Sequence, residues 1–227
     1  MASRAKAPGG LSDAVQDYAK AIWSLKQRHD GPVPTSAIAE RLGVSPASAS
    51  AMVGRLESLG LAQHEPYHGV ELTAPGERVA LEVVRHHRLI ELYLAQALGM
   101  PWDRVHEEAE VLEHAISPRL SELIAQALGD PKRDPHGDPI PTLDGEIDEH
   151  PTRTLADLEP GDTGIFVRVS DSDSAMLRYL SQRGIRPGDR FEVVDKQPFE
   201  GPLSVRFGAD EHALGGALAR AMRTEGG

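Results

Sequence analysis

Four side chains able to hold a divalent cation fall between Val105 and Ser117: His106, Glu110, Glu113 and His114, at i, i+4, i+7 and i+8. On a helix that spacing places all four on one stripe, so they can face a common centre. Earlier in the chain His87 and Glu91 stand at i and i+4, which lets two side chains meet one ion from a single helix face. Asp17 offers a further donor, and its use would tie the first helix to that centre. The competing reading is a solvated acidic face built from Glu107, Glu108, Glu110 and Glu113, with ordinary half-buried histidines. Such faces interleave Lys or Arg for i, i+4 pairing, yet from Val105 to Ser117 every basic residue is a histidine.

The chain has no cysteine, which removes disulfides, thiolate ligands and thiol catalysis together. Any metal must then be held by imidazole and carboxylate, a donor set that favours harder ions. A metallohydrolase would draw on the same residue types. The H-E-x-x-H spacing is absent, because His106-Glu107-Glu108-Ala109-Glu110 ends in Glu, and no G-x-S-x-G, phosphate loop or dinucleotide fingerprint occurs. No enzymatic activity and no small organic substrate are expected.

The elements that must carry these groups follow from periodicity. Leu11, Ala14, Val15, Tyr18, Ala21, Ile22 and Leu25 give one helix face from Leu11 to Arg28, with Ser12 as its cap. Thr35 is expected to cap a short helix over Ser36 to Leu42; Gly43-Val44 turns the chain, and Ser45-Pro46 restarts a helix to about Leu59. Leu61–His64 and Val70–Thr73, around a Gly-containing turn, read as a hairpin, so the order is that of a winged helix-turn-helix. A long helix to about Leu98 and another from Trp102 to about Leu128, bent near Ser117-Pro118, should follow. Residues 129–162 are rich in Pro and Gly and read as a linker or extended crossing segment. Strands over Gly164–Val169, Arg190–Asp195 and Leu203–Phe207 with a helix over Ser174–Gln182 suggest a small β-barrel-like domain, after which the last few residues should fray. The expected fold class is therefore mainly α with a small β component.

In a winged helix the second helix of the helix-turn-helix enters the major groove of DNA. Its outward face here would be Ser45, Pro46, Ala47, Ser48, Ser50 and Ala51, small groups that permit close approach but lack the bidentate Arg-to-guanine grip. Arg41, Arg55 and the hairpin-tip His68 are candidate phosphate contacts, with Arg4 and Lys6 as a further pair. The bland alternative is a helix that only packs, since Ala is a strong helix former.

Net charge is −11, but its distribution is uneven. Residues 1–80 carry 8 basic and 8 acidic groups, residues 81–150 carry 6 and 15, and residues 151–227 carry 10 and 12. A neutral first third can dock DNA through a few placed cations, while the acidic middle suits a cation. With no long apolar run and no apolar segment near Met1, a cytoplasmic chain without membrane attachment is expected.

Ala39-Glu40-Arg41-Leu42, Arg85-His86-His87-Arg88-Leu89-Ile90-Glu91, the stretch from Val105 to His114, and Asp134-Pro135-His136-Gly137-Asp138-Pro139-Ile140-Pro141 together resemble the diphtheria toxin repressor family of metalloregulators. The resemblance covers almost the full length. It implies a homodimeric repressor of palindromic operator DNA, with a winged-helix domain (1–75), a helical dimerisation and metal-binding domain (76–142), a linker (143–160) and an SH3-like, FeoA-like domain (161–227). The iron branch uses Met and Cys where this chain has Asp17 and Glu110, so the chain is similar to the manganese-responsive branch. Mn(II) is the implied corepressor, with Fe(II), Co(II) or Zn(II) able to substitute in vitro; an iron(II)-dependent repressor and a metal-independent winged-helix regulator are the alternatives. The implied main site is Asp17, Glu110, Glu113 and His114. A second would be His87, Glu91 and His106, completed by Asp171 or Asp173. Short manganese repressors carry a Glu one turn after the Asp, where this chain has Lys20, so their two-ion geometry does not transfer as it stands.

Overall fold

The computed structural model describes residues 11–27, 31–65, 68–199 and 201–226. Arg4, Lys6, Arg28 and the hairpin residues Pro66 and Tyr67 lie outside them. The chain divides into two compact units: residues 1–87, 110–123 and 141–146 form the first, and 88–109, 124–140 and 147–227 the second.

In the first unit, α1 (Asp13–Lys26) buries Val15, Tyr18, Ala19, Ala21 and Ile22 on one face. Ser12 occupies the cap position in extended conformation, but its side chain makes no capping bond. Helix α2 (Thr35–Leu42) also departs from expectation, because Pro34 is its cap and Thr35 is already helical. Proline reaches this position with φ −62° and ψ 137°, which directs the chain into the helix without a side-chain acceptor. Gly43 closes α2 at φ 63°, a left-handed geometry that glycine adopts without Cβ strain. Helix α3 (Pro46–Ser58) starts as expected: Ser45 Oγ accepts the Ser48 N–H at 3.1 Å and proline holds the first turn.

Ile38, Ala39, Ala49, Val53 and Leu56 join Val15, Tyr18 and Ile22 in one core beneath the helix-turn-helix. Strands β1 (Ala62–Glu65) and β2 (Gly69–Leu72) pair antiparallel, with Ala62 opposite Leu72, and form the wing one residue away from the expected bounds at each strand. The long helix α4 (Ala74–Ala97) opens with Gly76 against the backbone of Leu61.

The expected single helix from Trp102 to Leu128 is two. α5 is Val105–Leu112 and α6 is Pro118–Ala127, so Glu113 and His114 sit in the turn between them rather than on a continuing helical stripe. Pro118 has no N–H for the His114 carbonyl and its ring would collide there, which forbids one helix through 114–118. Ser117 Oγ instead accepts the Leu120 N–H at 3.2 Å and starts α6.

The second unit carries a six-stranded antiparallel sheet in the order β3 (Arg153–Thr154), β8 (Met222–Gly226), β4 (Thr163–Val169), β5 (Arg190–Lys196), β6 (Leu203–Phe207), β7 (Asp210–Leu214). Helix α7 (Ser174–Gln182) and the short α8 (Gly216–Ala221) pack on a core that includes Phe166, Leu177, Leu180, Val193, Val205 and Met222. The last described residues, through Gly226, form a strand where fraying was expected. β8 bonds to β3 on one side and β4 on the other, and its Met222 and Thr224 are buried. Residues 129–162 are no loose linker throughout either: Asp134, His136, Gly137 and Ile140 are buried, and a Cβ on Gly137 would lie 1.9 Å from the Val167 carbonyl oxygen. Among the described residues no helix is long and apolar enough to cross a membrane.

Two glycines test this packing in opposite senses. Gly54 is exposed inside α3 and an added Cβ would meet nothing within 4 Å, whereas at Gly76 it would lie 1.9 Å from the Leu61 oxygen. Gly54→Ala should stabilise the protein by about 0.5–1 kcal/mol through helix propensity. Gly76→Ala should destabilise it by about 1–3 kcal/mol. Urea melts of the two variants decide both signs.

Candidate metal centre and nucleic-acid interface

In the first unit α1 directs Gln16, Asp17 and Lys20 toward the turn after α5. His114 Nε2 lies 2.7 Å from Asp17 Oδ1, and its Nδ1 lies 2.7 Å from Gln16 Oε1. The wholly buried Glu113 places Oε1 3.4 Å from the same Nε2. Asp17, Glu113 and His114 bring one ligand atom each within 4.8 Å of one another. The bond to Asp17 raises the His114 pKa, against burial, with Glu113 adding to the rise. Glu113 also meets His87 Nδ1 at 2.5 Å, and His86 Nδ1 approaches its backbone oxygen at 3.3 Å. His86 itself is lowered by burial, which the Glu82 charge and the Glu113 carbonyl only partly oppose.

Glu110 lies with His87 and Glu113 in a second overlapping group rather than with Asp17 and His114. Lys20 Nζ donates to Glu110 Oε1 at 2.8 Å and to both Glu113 oxygens, at 2.7 and 3.0 Å. Sequence reasoning marked Lys20 as a departure from a related pattern but gave it no place in the site, and it missed Gln16 entirely.

The second unit gathers Glu91, His106 and Asp171. His106 Nδ1 is 3.3 Å from Glu91 Oε1 and 3.1 Å from Asp171 Oδ2, and these atoms lie within 4.8 Å of one another. Asp171, rather than Asp173, reaches the histidine; Asp173 instead caps α7 through the Ala175 and Met176 N–H groups. The bonds to Asp171 and Glu91 raise His106 to about 10 despite burial. Burial acts to raise Asp171, but the His106 bond prevails and holds it at about 2.

Behind Glu91 stands a group that the sequence did not announce. Glu91, Asp134 and His136 are all buried and could share a cation. His136 Nε2 donates to the Trp102 carbonyl at 2.8 Å, while Nδ1 faces Glu91 Oε2 at 3.7 Å and has no hydrogen-bond partner among the described residues. Burial acts to lower His136, but the Glu91 carboxylate prevails and raises it to about 9. Burial likewise pushes the Asp134 carboxyl well above its usual range, helped by the Asp138 and Glu91 charges. The Asp-Pro-His-Gly-Asp run was the available signal, yet nothing in its spacing says that His136 turns inward.

These donor sets fit a divalent cation. They combine carboxylates with imidazoles and contain no sulfur. His87 stands one turn before Glu91 on α4 and makes its 2.5 Å bond to Glu113 in the first unit.

The outward face of α3 matches expectation in exposure. Ser45, Pro46, Ala47, Ser48, Ser50 and Ala51 are exposed, whereas Ala49, Val53 and Leu56 face the core. Arg41, Arg55 and His68 are exposed as well. Gly54 continues the Ala47–Ala51 stripe and went unmentioned in sequence reasoning; with no packing neighbour for a side chain, it keeps the face low.

Three family models match successive parts of the chain: the N-terminal DNA-binding domain of iron-dependent repressors over residues 10–70, their metal-binding and dimerisation domain over 73–142, and the FeoA domain over 153–225. The diphtheria toxin repressor of Corynebacterium efficiens is 31% identical over 226 residues, covering 95% of this chain and 96% of the relative. The iron-dependent repressor IdeR of Mycobacterium tuberculosis is 31% identical over 229 residues, covering 95% and 98%. A solved structure described as a manganese-dependent transcriptional repressor complex with manganese superposes with a TM-score of 0.88 at 43% identity, covering 93% of this chain and 99% of that one.

The His106–Asp171 pair sets a pH dependence for the metal-free protein. His106 contributes fully below the ordinary imidazole value of about 6.5 and loses its contribution as pH rises toward about 10. Asp171 contributes above the ordinary carboxylate value of about 4 and loses it as pH falls toward about 2. His106→Gln should therefore lower stability by about 1 kcal/mol between roughly pH 4 and 6.5 and by little near pH 10. Thermal melts with chelator present would refute this if the deficit were equal at both pH values.

Proposed function

The chain belongs to the iron-dependent repressor family that includes the diphtheria toxin repressor, and on that premise we propose that it is a manganese(II)-dependent repressor binding palindromic operator DNA as a homodimer. The observation that carries the reading is the 2.7 Å approach of His114 to Asp17, because Asp17 belongs to the first helix of the DNA-binding core while His114 follows the α5 carboxylates. The proposed main site is Asp17, Glu113 and His114, with Glu110, which here pairs with Lys20, as the further ligand that the family resemblance implies. The proposed second site is His87, Glu91, His106 and Asp171, with His87 one helical turn before Glu91.

Asp17, Glu113 and His114, already adjacent, would hold a divalent cation, which would supply the positive charge that keeps them together. The protein's part is positional. Asp17 is fixed by α1, whose Val15, Tyr18 and Ile22 are locked in the same core as Val53 and Leu56 of α3. Holding Asp17 therefore holds α3, and coupling of this kind between two sites is typically 1–3 kcal/mol. Ser45, Pro46, Ala47, Ser48 and Ser50 would enter the major groove, with Arg41, Arg55 and His68 on phosphates.

Manganese is favoured because the main donors include no sulfur, and the 43% identical structure is described as a complex with manganese. Iron(II) is the second reading, since the M. tuberculosis relative is named for iron dependence. Dimerisation is supported by Val111, Leu112, Leu120 and Leu123, large apolar side chains left exposed around the α5–α6 turn.

Metal-stripped protein titrated separately with Mn(II) and Fe(II), while bound fragments are recovered from a DNA pool, tests the reading directly. Manganese-dependent retention of a palindrome is expected; retention with Fe(II) alone selects the iron reading, and retention with chelator present removes both. Asp17→Ala should lower metal-stimulated operator affinity roughly 5- to 150-fold while leaving the circular dichroism melt of the metal-free protein cooperative. The double variant Leu120→Asp/Leu123→Asp should sediment as a monomer at concentrations where the parent is a dimer.

A further inference from the structure

His87, Glu110 and Glu113 turn one ligand atom each into a space 4.8 Å across, an arrangement that would suit a metal ion. A cation is already there. Lys20 Nζ lies 2.7 and 3.0 Å from the two Glu113 oxygens, 2.8 Å from Glu110 Oε1 and 3.2 Å from His87 Nδ1. Its side chain is only 14% exposed and that of Glu113 is not exposed at all, so the pair is held largely out of water.

We propose that the Lys20 ammonium is a tethered cation that fills this second position of the cluster, so that the first unit takes one divalent ion rather than two. The proposal rests on the reading of Asp17, Glu113 and His114 as a metal site. Three features argue for it. An ammonium is a compact point charge with three donors, and the surrounding acceptors are carboxylate oxygens at donor distance. Charge agrees as well: Asp17, Glu110 and Glu113 carry three negative charges and Lys20 one positive, leaving the two that a single divalent ion balances. A second such ion would leave the cluster with net positive charge beside the buried Glu113 and Lys20.

The helix provides the third argument. Asp17 and Lys20 stand three apart on α1, hence on one face, so the same turn delivers an anionic ligand to one position and a cation to its neighbour. Glu113 is the group shared between the two, with Oε1 3.4 Å from His114 and both oxygens on Lys20. Loading at Asp17, Glu113 and His114 then proceeds against a carboxylate already oriented and half-neutralised. Lys20 is in this sense a determinant of metal stoichiometry built into the DNA-binding half of the chain.

The test compares the full-length protein with Lys20→Glu and Lys20→Met. Equilibrium dialysis against Mn(II) with elemental analysis counts ions per protomer, and electron paramagnetic resonance reports whether two manganese ions are close enough to couple. Lys20→Glu is expected to gain one ion per protomer and a coupled-pair signal that the parent lacks. Lys20→Met is expected to melt lower than the parent by at least about 3 °C in chelator, because Glu110 and Glu113 lose the bonds that the ammonium donates, and to recover most of that loss with saturating Mn(II). An unchanged ion count in Lys20→Glu, or an unchanged metal-free melt in Lys20→Met, overturns the proposal. If the parent itself binds no Mn(II) that Asp17→Ala removes, it is the metal reading that fails, and the metal-free melt of Lys20→Met still decides the role of the ammonium.

Discussion

Glu113 is a carboxylate with no exposure to water, and the first unit is arranged around its charge. Burying an ionised carboxylate costs several kcal/mol unless partners surround it. Here the partners come from three directions: Lys20 from α1, His87 from α4, and His114 from the next residue in the chain. Because α1 also supplies Val15, Tyr18 and Ile22 to the core that seats α3, the demand of one buried charge fixes the helix against which α3 packs. The electrostatics of the cluster and the orientation of α3 are thus linked through rigid packing rather than through a flexible loop.

The second unit solves a similar problem by different means. Glu91 and Asp134 are buried, and the loop around Asp134 closes on its carboxylate through the His136 and Asp138 N–H groups at 2.8 and 2.9 Å. Arg88 donates to the Pro139 carbonyl at 2.5 Å and lies 3.8 Å from Asp134. Arg168 also approaches Asp138, at 3.4 Å. Even with both arginines burial drives Asp134 and Asp138 upward, while the neighbouring carboxylates prevail over burial at His106 and His136 and raise them to about 10 and about 9. Protonated histidines stand in for missing positive charge. A divalent ion binding there must displace such protons, so its apparent affinity rises with pH through the neutral range.

What the sequence made legible follows from the range of the interactions. The helix-turn-helix, the wing and α4 are set by local periodicity, the Gly43 turn and the Ser45-Pro46 start, and all were readable within a few residues. The strands β4, β5 and β6 carry alternating apolar residues and were readable for the same reason. β8 was not, because Met222-Arg223-Thr224-Glu225 has little intrinsic strand character and is held by pairing with β4, some 55 residues earlier in the chain. The cluster residues were identified by type, yet their grouping was not: α5 stops at Leu112, so His106 turns to Glu91 and Asp171 while Glu113 and His114 turn to Asp17. Pro118 holds the physical reason for that division, but its effect reaches four residues back and onto side chains of a different element.

Lys20 marks the limit of reading sites by ligand type. A search for donors passes over a lysine, since an ammonium cannot ligate, and in this chain the lysine occupies the space such a search looks for. The residue that matters is recognised by what it neutralises. In an acidic protein with net charge −11 that must approach a polyanion, every fixed positive charge beside α1 also lowers the repulsion that DNA meets. A tethered ammonium does this at any metal concentration, whereas a bound ion does it only when metal is present. Filling one cation position permanently and leaving its neighbour to the metal therefore keeps the metal-dependent part of the field to a single divalent charge, and makes occupancy of one site the variable to which operator affinity responds.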